Sequence, residues 1–276
     1  MPEATTGPPR PRAGDPLPPG PGDFLAGLSA GDAGLAATAF APGAVYAAPA
    51  SEADEAAPRA VLRAEEIAAA LASDPQLGHG HQVRLCCVED GDCLIEGWIL
   101  DANGERTRSF AATLQLDGAG LISRCLLFRT PAVEEAGGVG GGNQGGVDIQ
   151  ELLDEYFEHL QAARFEAATE HYSSDGLYSH PPYSPGASRA EFRGHAELLA
   201  GFNARGPRPA RHVFHVSVQR GGDLMIEGHA LVDGTPEGPQ NSFVSSASLD
   251  ADGKIRRYVA FQTEGRVPRL ESGSAD

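Results

Sequence analysis

Leu177-Tyr178-Ser179-His180-Pro181-Pro182-Tyr183 is the stretch of this sequence best equipped for chemistry. It reads as a short strand that delivers an imidazole at its end. An imidazole titrates near neutrality, so His180 can take a proton from one carbon of a bound molecule and return it to another. The alternative is a histidine that hydrogen-bonds a ligand or a loop carbonyl. A paler copy stands upstream as Val45-Tyr46-Ala47-Ala48-Pro49. It is led in by Phe40-Ala41-Pro42-Gly43-Ala44, where the later copy has Tyr172-Ser173-Ser174-Asp175-Gly176. The copies differ where the chemistry would sit, with Ala48 in the place of His180.

The elements that must position this stretch are duplicated as well. Asp92-Cys93-Leu94-Ile95-Glu96-Gly97 matches Asp223-Leu224-Met225-Ile226-Glu227-Gly228, and Ser109-Phe110 matches Ser242-Phe243. The turn from Leu116 to Gly120 matches that from Leu249 to Gly253, and Phe128 matches Phe261. A repeat of about 130 residues is a duplicated domain and not a solenoid. In the first copy, Phe24, Leu25 and Leu28 have helical spacing; a second short helix runs through Leu35 to Phe40, and a third from Glu65 to Leu71. Strands are expected at 81–88, 92–100, 106–116 and 121–130, with Asp90-Gly91, Asn103-Gly104 and Asp117-Gly118 at the turns. The second copy repeats the order: Leu152, Leu153, Tyr156, Phe157 and Leu160 on one helix face, helices from Phe165 to Tyr172 and Gly194 to Ala204, and strands at 212–219, 223–232, 240–249 and 254–263. Helices followed by an antiparallel meander give an α+β fold, a curved sheet wrapped around three helices. We expect a proline- and glycine-rich disordered tail over 1–20, a first domain over 21–132, a Gly-rich linker over 133–147, a second domain over 148–266 and a tail over 267–276.

Composition narrows the partners. The 276 residues carry a net charge of −17 and no cluster of Lys and Arg, which argues against nucleic acid and anionic membranes. No apolar run is long enough to span a bilayer, and the N-terminus lacks the apolar core of a secretory signal, so a cytoplasmic protein is expected. Cys86, Cys87, Cys93 and Cys125 lack metal-site spacing and read as free thiols. Cys86 and Cys87 are strand neighbours pointing to opposite faces. The pairs His79/His81 and His212/His215 are too few ligands for zinc, and a structural role is the simpler reading. No glycine-rich phosphate loop follows a strand, so no cofactor is indicated; Gly137 to Gly146 is linker composition. Glu96 with Trp98 and Glu227 with His229 alternate away from the apolar residues, which puts them on the outer sheet face. The two halves could pack through that face as an internal pseudo-dimer. Arg256 and Arg257 read as surface charge.

Tyr156, the Tyr178-to-Pro181 stretch, Arg193-Gly194, Asp223, Ser242-Phe243 and the turn from Leu249 to Lys254 together resemble the nuclear transport factor 2-like superfamily. The resemblance is closer to its SnoaL-like and ketosteroid isomerase-like members and extends over both copies. It implies two tandem cone-shaped domains. It also places His180 where ketosteroid isomerases hold their proton-shuttling carboxylate, Tyr156 at the oxyanion-hole tyrosine and Ser245 at the protonated aspartic acid. The first copy has Ala48, Phe24 and Ala112 at these places. Family register turns Tyr258, Ala260 and Gln262 inward in the second copy, and Cys125, Leu127 and Arg129 in the first; Cys93 faces the same way. Arg193 is expected to orient the loop around His180.

The resemblance implies an isomerase or cyclase of secondary metabolism acting on an apolar polyketide- or polyene-type substrate, free or carrier-bound. In a proton-transfer version His180 is the base and Tyr156 the hydrogen-bond donor, with Tyr178, Ser245, Tyr258 and Gln262 lining the substrate. In a double-bond version a Cys125 thiolate adds reversibly to a conjugated alkene, with Cys93 beside it and Arg129 lowering its pKa. The alternative is a non-catalytic protein that binds a hydrophobic ligand or serves assembly.

Overall fold

The computed structural model describes residues 17–48, 62–134, 147–183, 187–263, 265–267, 269 and 270. The acidic stretch 51–58, the run from Gly137 to Gly146 and most of the segment 1–20 lie outside the described residues. The first half runs α1 (Pro19–Ala30), α2 (Ala33–Thr38), β1 (Phe40–Ala47), β2 (Leu62–Arg63), α3 (Ala64–Ala72), β3 (Gly80–Glu89), β4 (Asp92–Leu100), β5 (Arg106–Leu116) and β6 (Ile122–Pro131). The second half repeats it as α4 (Ile149–Gln161), α5 (Phe165–Glu170), β7 (Tyr172–His180), β8 (Ala190–Arg193), α6 (Gly194–Arg205), β9 (Arg211–Arg220), β10 (Asp223–Leu231), β11 (Gln240–Leu249) and β12 (Ile255–Gln262). The two sheets have the same strand order, β2-β1-β6-β5-β4-β3 and β8-β7-β12-β11-β10-β9.

The sequence predicts an antiparallel meander, but neither sheet is purely antiparallel. β1 pairs with β6 in parallel, and β7 with β12. The remaining pairs are antiparallel, and only the hairpin strands are close enough in sequence to be joined by tight turns. Asp90 and Gly91 both have positive φ (48° and 84°) at the β3–β4 turn, where a two-residue hairpin connection demands it. At the β5–β6 turn it is Gly120, not Gly118, that supplies the left-handed residue.

Helix α4 shows why the interior forms. Asp148 caps it, accepting from the Gln150 and Glu151 amides at 2.9 and 3.2 Å. Leu153, Tyr156, Phe157 and Leu160 recur at helical spacing and are buried against the sheet. Burying each such side chain stabilises the fold by about 1.5–3 kcal/mol before entropy is counted. Helix α1 begins at Pro19, inside the stretch expected to be tail; proline is tolerated in a first turn because its missing N–H has no intrahelical partner there.

Side-chain alternation along the strands builds three apolar cores. Phe24, Ile67, Phe110 and Cys125 share the inside of the first cone, and Tyr156, Phe157, Tyr178, Phe202 and Tyr258 the inside of the second. The outward residues of both sheets, among them Leu94, Leu126 and Phe128 with Met225, Val244, Val259 and Phe261, form a core between the halves. The halves therefore pack back to back through their sheets, as the placement of Glu96 and Glu227 anticipated.

Two crossed ion pairs sit in that interface. Arg257 reaches Glu96 at 2.6 Å, and Arg124 reaches Glu227 at 2.8 Å. The pairs are related by the internal repeat, as isologous contacts are in a two-fold dimer. Arg257 is 2% exposed, so it is an interface residue and not the surface charge expected. It lies soon after a turn in the sequence, but strand alternation turns it inward against Glu96 of β4. Each carboxylate has a second arginine. Arg84 lies 2.6 Å from Glu96 and 3.7 Å from Asp223; Arg269 lies 2.6 Å from Glu227 and 2.5 Å from Asp92. Arg84 occupies the bulge of β3, and the corresponding bulge of β9 holds His215. The second half has no arginine equivalent to Arg84 at that bulge, and Arg269, in the segment expected to be tail, supplies the guanidinium instead. Leu270 also exchanges hydrogen bonds with Gln115 (3.0 and 3.2 Å). At the start of the expected linker, Val133 is buried and its N–H donates to Ser109 Oγ at 2.9 Å, just as the Val267 N–H donates to Ser242 Oγ at 2.8 Å.

Gly97 and Gly228, the repeated glycines of β4 and β10, are held by close approach. A Cβ on Gly228 would collide with the Val213 carbonyl and the Phe243 ring; one on Gly97 would meet the Gln82 carbonyl and Phe110. Gly228→Ala is expected to cost about 1–3 kcal/mol, read as a lower urea midpoint at unchanged slope. An unchanged midpoint would contradict this packing.

Candidate functional site

β7 carries His180 to the end of the second sheet. The ring Nδ1 lies 2.7 Å from the Pro181 carbonyl, so Nδ1–H donates there. This leaves Nε2 as a lone-pair acceptor with no hydrogen-bond partner among the described residues. The ring stacks on Tyr183 at 4.6 Å and on Tyr178 at 5.9 Å. From there an aromatic chain leads inward: Tyr178 to Tyr258 (5.7 Å), Tyr258 to Tyr156 (6.1 Å) and Tyr156 to Tyr172 (5.5 Å). Tyr178 and Tyr183 share a hydroxyl–hydroxyl hydrogen bond. The structure thus brings His180, Tyr178, Tyr258 and Tyr156 into one cluster. Ser245 is buried; burial pushes the Tyr258 hydroxyl up, and the nearby Ser245 hydroxyl opposes that rise without cancelling it. Gln262, half-buried opposite Phe243, makes no side-chain hydrogen bond among the described residues.

Burial dominates the electrostatics. It lowers His180 to about 3, with Arg189, His212 and Arg205 adding to the effect against the opposing Pro181 bond. His212 is lowered by burial and then by Arg205 to about 4. Both rings are neutral at pH 7. Burial pushes the Tyr156, Tyr172 and Tyr178 hydroxyls well above the ordinary phenol range, so they remain protonated donors. Four buried polar atoms of this cluster complete no hydrogen bond: Tyr156 Oη, Tyr172 Oη, Ser245 Oγ and His212 Nδ1. Tyr156 and Tyr172 influence each other's ionisation without reaching hydrogen-bond geometry. Buried polar atoms are nearly always satisfied, so four in one interior ask for an explanation.

The interior of the first half is different in kind. Phe24, Ala48 and Ala112 are buried at the places of Tyr156, His180 and Ser245. Cys125 faces inward as expected but is fully buried, and burial pushes its thiol up to about 12. Arg124 and Arg129 oppose this and lose. The net lowering expected from Arg129 is not met, because burial outweighs it; Arg129 itself pairs with Asp74 at 2.6 Å. Cys93 meets Cys86 with sulfurs 3.8 Å apart; that hydrogen bond and burial hold its proton well above the ordinary thiol range. Cys87 belongs to the core between the halves, on the face opposite Cys86. This half also keeps unbonded buried atoms, His79 Nδ1, His81 Nε2 and Arg129 Nε, but no hydroxyl among them.

Arg189, not Arg193, supports the His180 strand. Its guanidinium donates to Ser179 Oγ (2.6 Å), to Thr130 Oγ1 of the first half (3.0 Å) and to the Ala260 carbonyl. Arg193 instead reaches Glu134 at 3.4 Å on the surface. Tyr172, His212, Tyr183 and Arg205 were not among the expected site residues. Tyr172 had a signal in the sequence, since it replaces Phe40 of the first copy. Among the described residues no group of three or more His, Cys, Asp or Glu could hold a metal, and no helix is long and apolar enough to cross a membrane.

Residues 153–258 match the SnoaL-like domain family. The second half is a SnoaL-like domain. No curated protein matches the chain. Solved structures similar to it include a nuclear transport factor 2-like protein of unknown function from Burkholderia xenovorans, at 17% identity, covering 46% of this chain and 88% of that one with a TM-score of 0.33. A proposed ketosteroid isomerase of Kribbella flavida is 19% identical over 46% of this chain and 85% of its own, TM-score 0.33. An LEH-like epoxide hydrolase of M. tuberculosis is 18% identical over 40% and 80%, TM-score 0.31. Within the SnoaL-like half, the match spans Tyr156, His180, Ser245 and Tyr258 and so takes in the whole hydroxyl-bearing cluster.

Proposed function

We propose that the SnoaL-like half binds a small, largely apolar carbonyl compound of polyketide or polyene type and moves a proton on it, as an isomerase or cyclase does. The observation that carries this reading is the set of unbonded buried hydroxyls and imidazole nitrogen, Tyr156, Tyr172, Ser245 and His212, on the side of the molecule that also presents His180 Nε2. Their counterparts in the first half include Phe24, Phe40 and Ala112, which offer a ligand no polar contact. His180 Nε2 takes the proton from a carbon next to the carbonyl. The C–H electron pair becomes the carbon–carbon π bond of an enolate, and the carbonyl π pair moves onto oxygen. Tyr156 Oη–H donates to that oxygen; where a carbon–carbon double bond adjoins the enolate, the oxygen pair re-forms the carbonyl, the π pairs shift along, and the far carbon of that double bond takes the proton back from His180. The step needs no group beyond these side chains and the substrate.

The first half acts as a scaffold in this reading. A second reading, ligand binding without turnover, is favoured by the lowering of His180 to about 3, since a general base works best near the operating pH. Hydrogen–deuterium exchange separates the two. The methyl protons of 2-acetylnaphthalene, incubated with the protein in D2O and followed by NMR, should exchange faster than in buffer. His180→Ala should lower that acceleration by about a hundredfold. Binding of the ketone with no acceleration, or acceleration untouched by His180→Ala, would leave only the binding reading.

A further inference from the structure

Each half carries an arginine near an equivalent histidine: Arg129 near His81 in the first, Arg205 near His212 in the second. In the first half that arginine is neutralised within the fold by Asp74, 2.6 Å away and buried. In the second half Arg205 pairs with no carboxylate among the described residues. Its guanidinium lies over the Tyr183 and Phe202 rings, 5.5 Å from each centroid, and its Nε is buried without a hydrogen bond. An arginine in the last turn of α6 could serve only to offset the helix dipole. Here, though, the cation is spread on two rings that belong to the His180 cluster: Tyr183 stacks on His180, and Phe202 touches Tyr156. The cations acting on His180 are Arg189 and Arg205, and the one acting on His212 is Arg205, with no carboxylate beside them among the described residues, in a chain whose net charge is −17. Arg208 also covers Tyr183, at 4.6 Å, but it is engaged by the Tyr183 carbonyl at 3.1 Å.

We propose that the ligand of the second half carries a carboxylate on its apolar body, and that Arg205 binds it as Arg129 binds Asp74 in the first half. This rests on the reading of the second half as the ligand site, and it makes the substrate an organic acid. Arg205 is then a specificity residue: it selects the anion while His180 and Tyr156 act on the carbonyl end.

Calorimetric titration of the full chain with 2-naphthoate and with its neutral counterpart 2-acetylnaphthalene tests it. The acid should bind about ten- to a hundredfold more tightly than the ketone, the scale of hydrogen bonds to a charged group. Arg205→Met should abolish that preference and leave the ketone's affinity in place; Arg205→Lys should keep part of it, and Arg208→Met most of it. Ketone affinity retained in the variants shows that they are folded. Equal binding of acid and ketone, or a preference that survives Arg205→Met, overturns the proposal while the site reading stands. Failure of both probes to bind overturns both.

Discussion

Glu96→Ala is expected to destabilise the protein by about 3–5 kcal/mol, a drop of the order of 10 °C in Tm. Glu96 is 1% exposed and lies between Arg257 and Arg84. Burial alone would raise its carboxyl, but the two guanidinium groups hold it down to about 2. Removing the carboxylate takes away the acid that Arg257, itself 2% exposed, meets at 2.6 Å, and leaves its charge buried beside Ser246. The loss comes from that stranded cation more than from the attraction that disappears. Replacing both partners, Glu96→Met with Arg257→Met, should therefore recover most of the stability. The surface pair Arg164–Glu158 is the control: at 50% and 74% exposure, Glu158→Ala should shift stability by less than about 1 kcal/mol. Thermal melts of the four proteins decide the matter, and a Glu96→Ala melt that coincides with the control would show the interface pair to be dispensable.

Acid should unfold the protein in two stages. His180 is lowered to about 3 and His81 and His212 to about 4, each from an ordinary 6.5. Below pH 6.5 the unfolded chain takes up protons that the folded chain refuses, so stability falls as the pH falls, down to about pH 4 for His81 and His212 and about pH 3 for His180. Each histidine contributes at most about 1.4 kcal/mol per pH unit over this window. The rings keep some contact with solvent, which reduces that ceiling. Glu96 adds a second loss between about pH 4.5 and 2, where the unfolded carboxylate protonates first. Urea unfolding at pH 7.5, 6 and 5 should show the midpoint dropping across the series, and His180→Asn should flatten part of the slope. A midpoint constant from pH 7.5 to 5 would mean that the histidines are charged in the folded state.

The duplication was legible because the copies share residues that packing requires. Glu96-Gly97 and Glu227-Gly228 recur since each glycine admits a neighbouring carbonyl and each glutamate meets an arginine from the other half. The strands and helices followed from alternation and helical spacing, which are local. What was not legible depends on contacts between distant segments. The parallel pairing of β1 with β6 has no signature in either strand. Arg257 looked like surface charge beside a turn because its partner lies on a strand of the other half. Arg205 gave no signal at the end of a helix, and it stands out only beside Asp74 and Arg129. Strand register can point Cys125 inward but does not say how dry the interior is, and burial there pushes its thiol up to about 12.

Arg84 and Arg269 do one job from two unrelated places in the chain. In an assembly of two identical subunits that arrangement cannot arise, because symmetry writes every substitution twice. With both halves on one chain, each face of the interface drifts alone: the β9 bulge could become histidine once a downstream arginine had reached Glu227. The same freedom reaches the interiors. One half could trade hydroxyls for phenylalanine and alanine and still hold its twin in shape. The specialised half can then change its ligand without any matching change in the other.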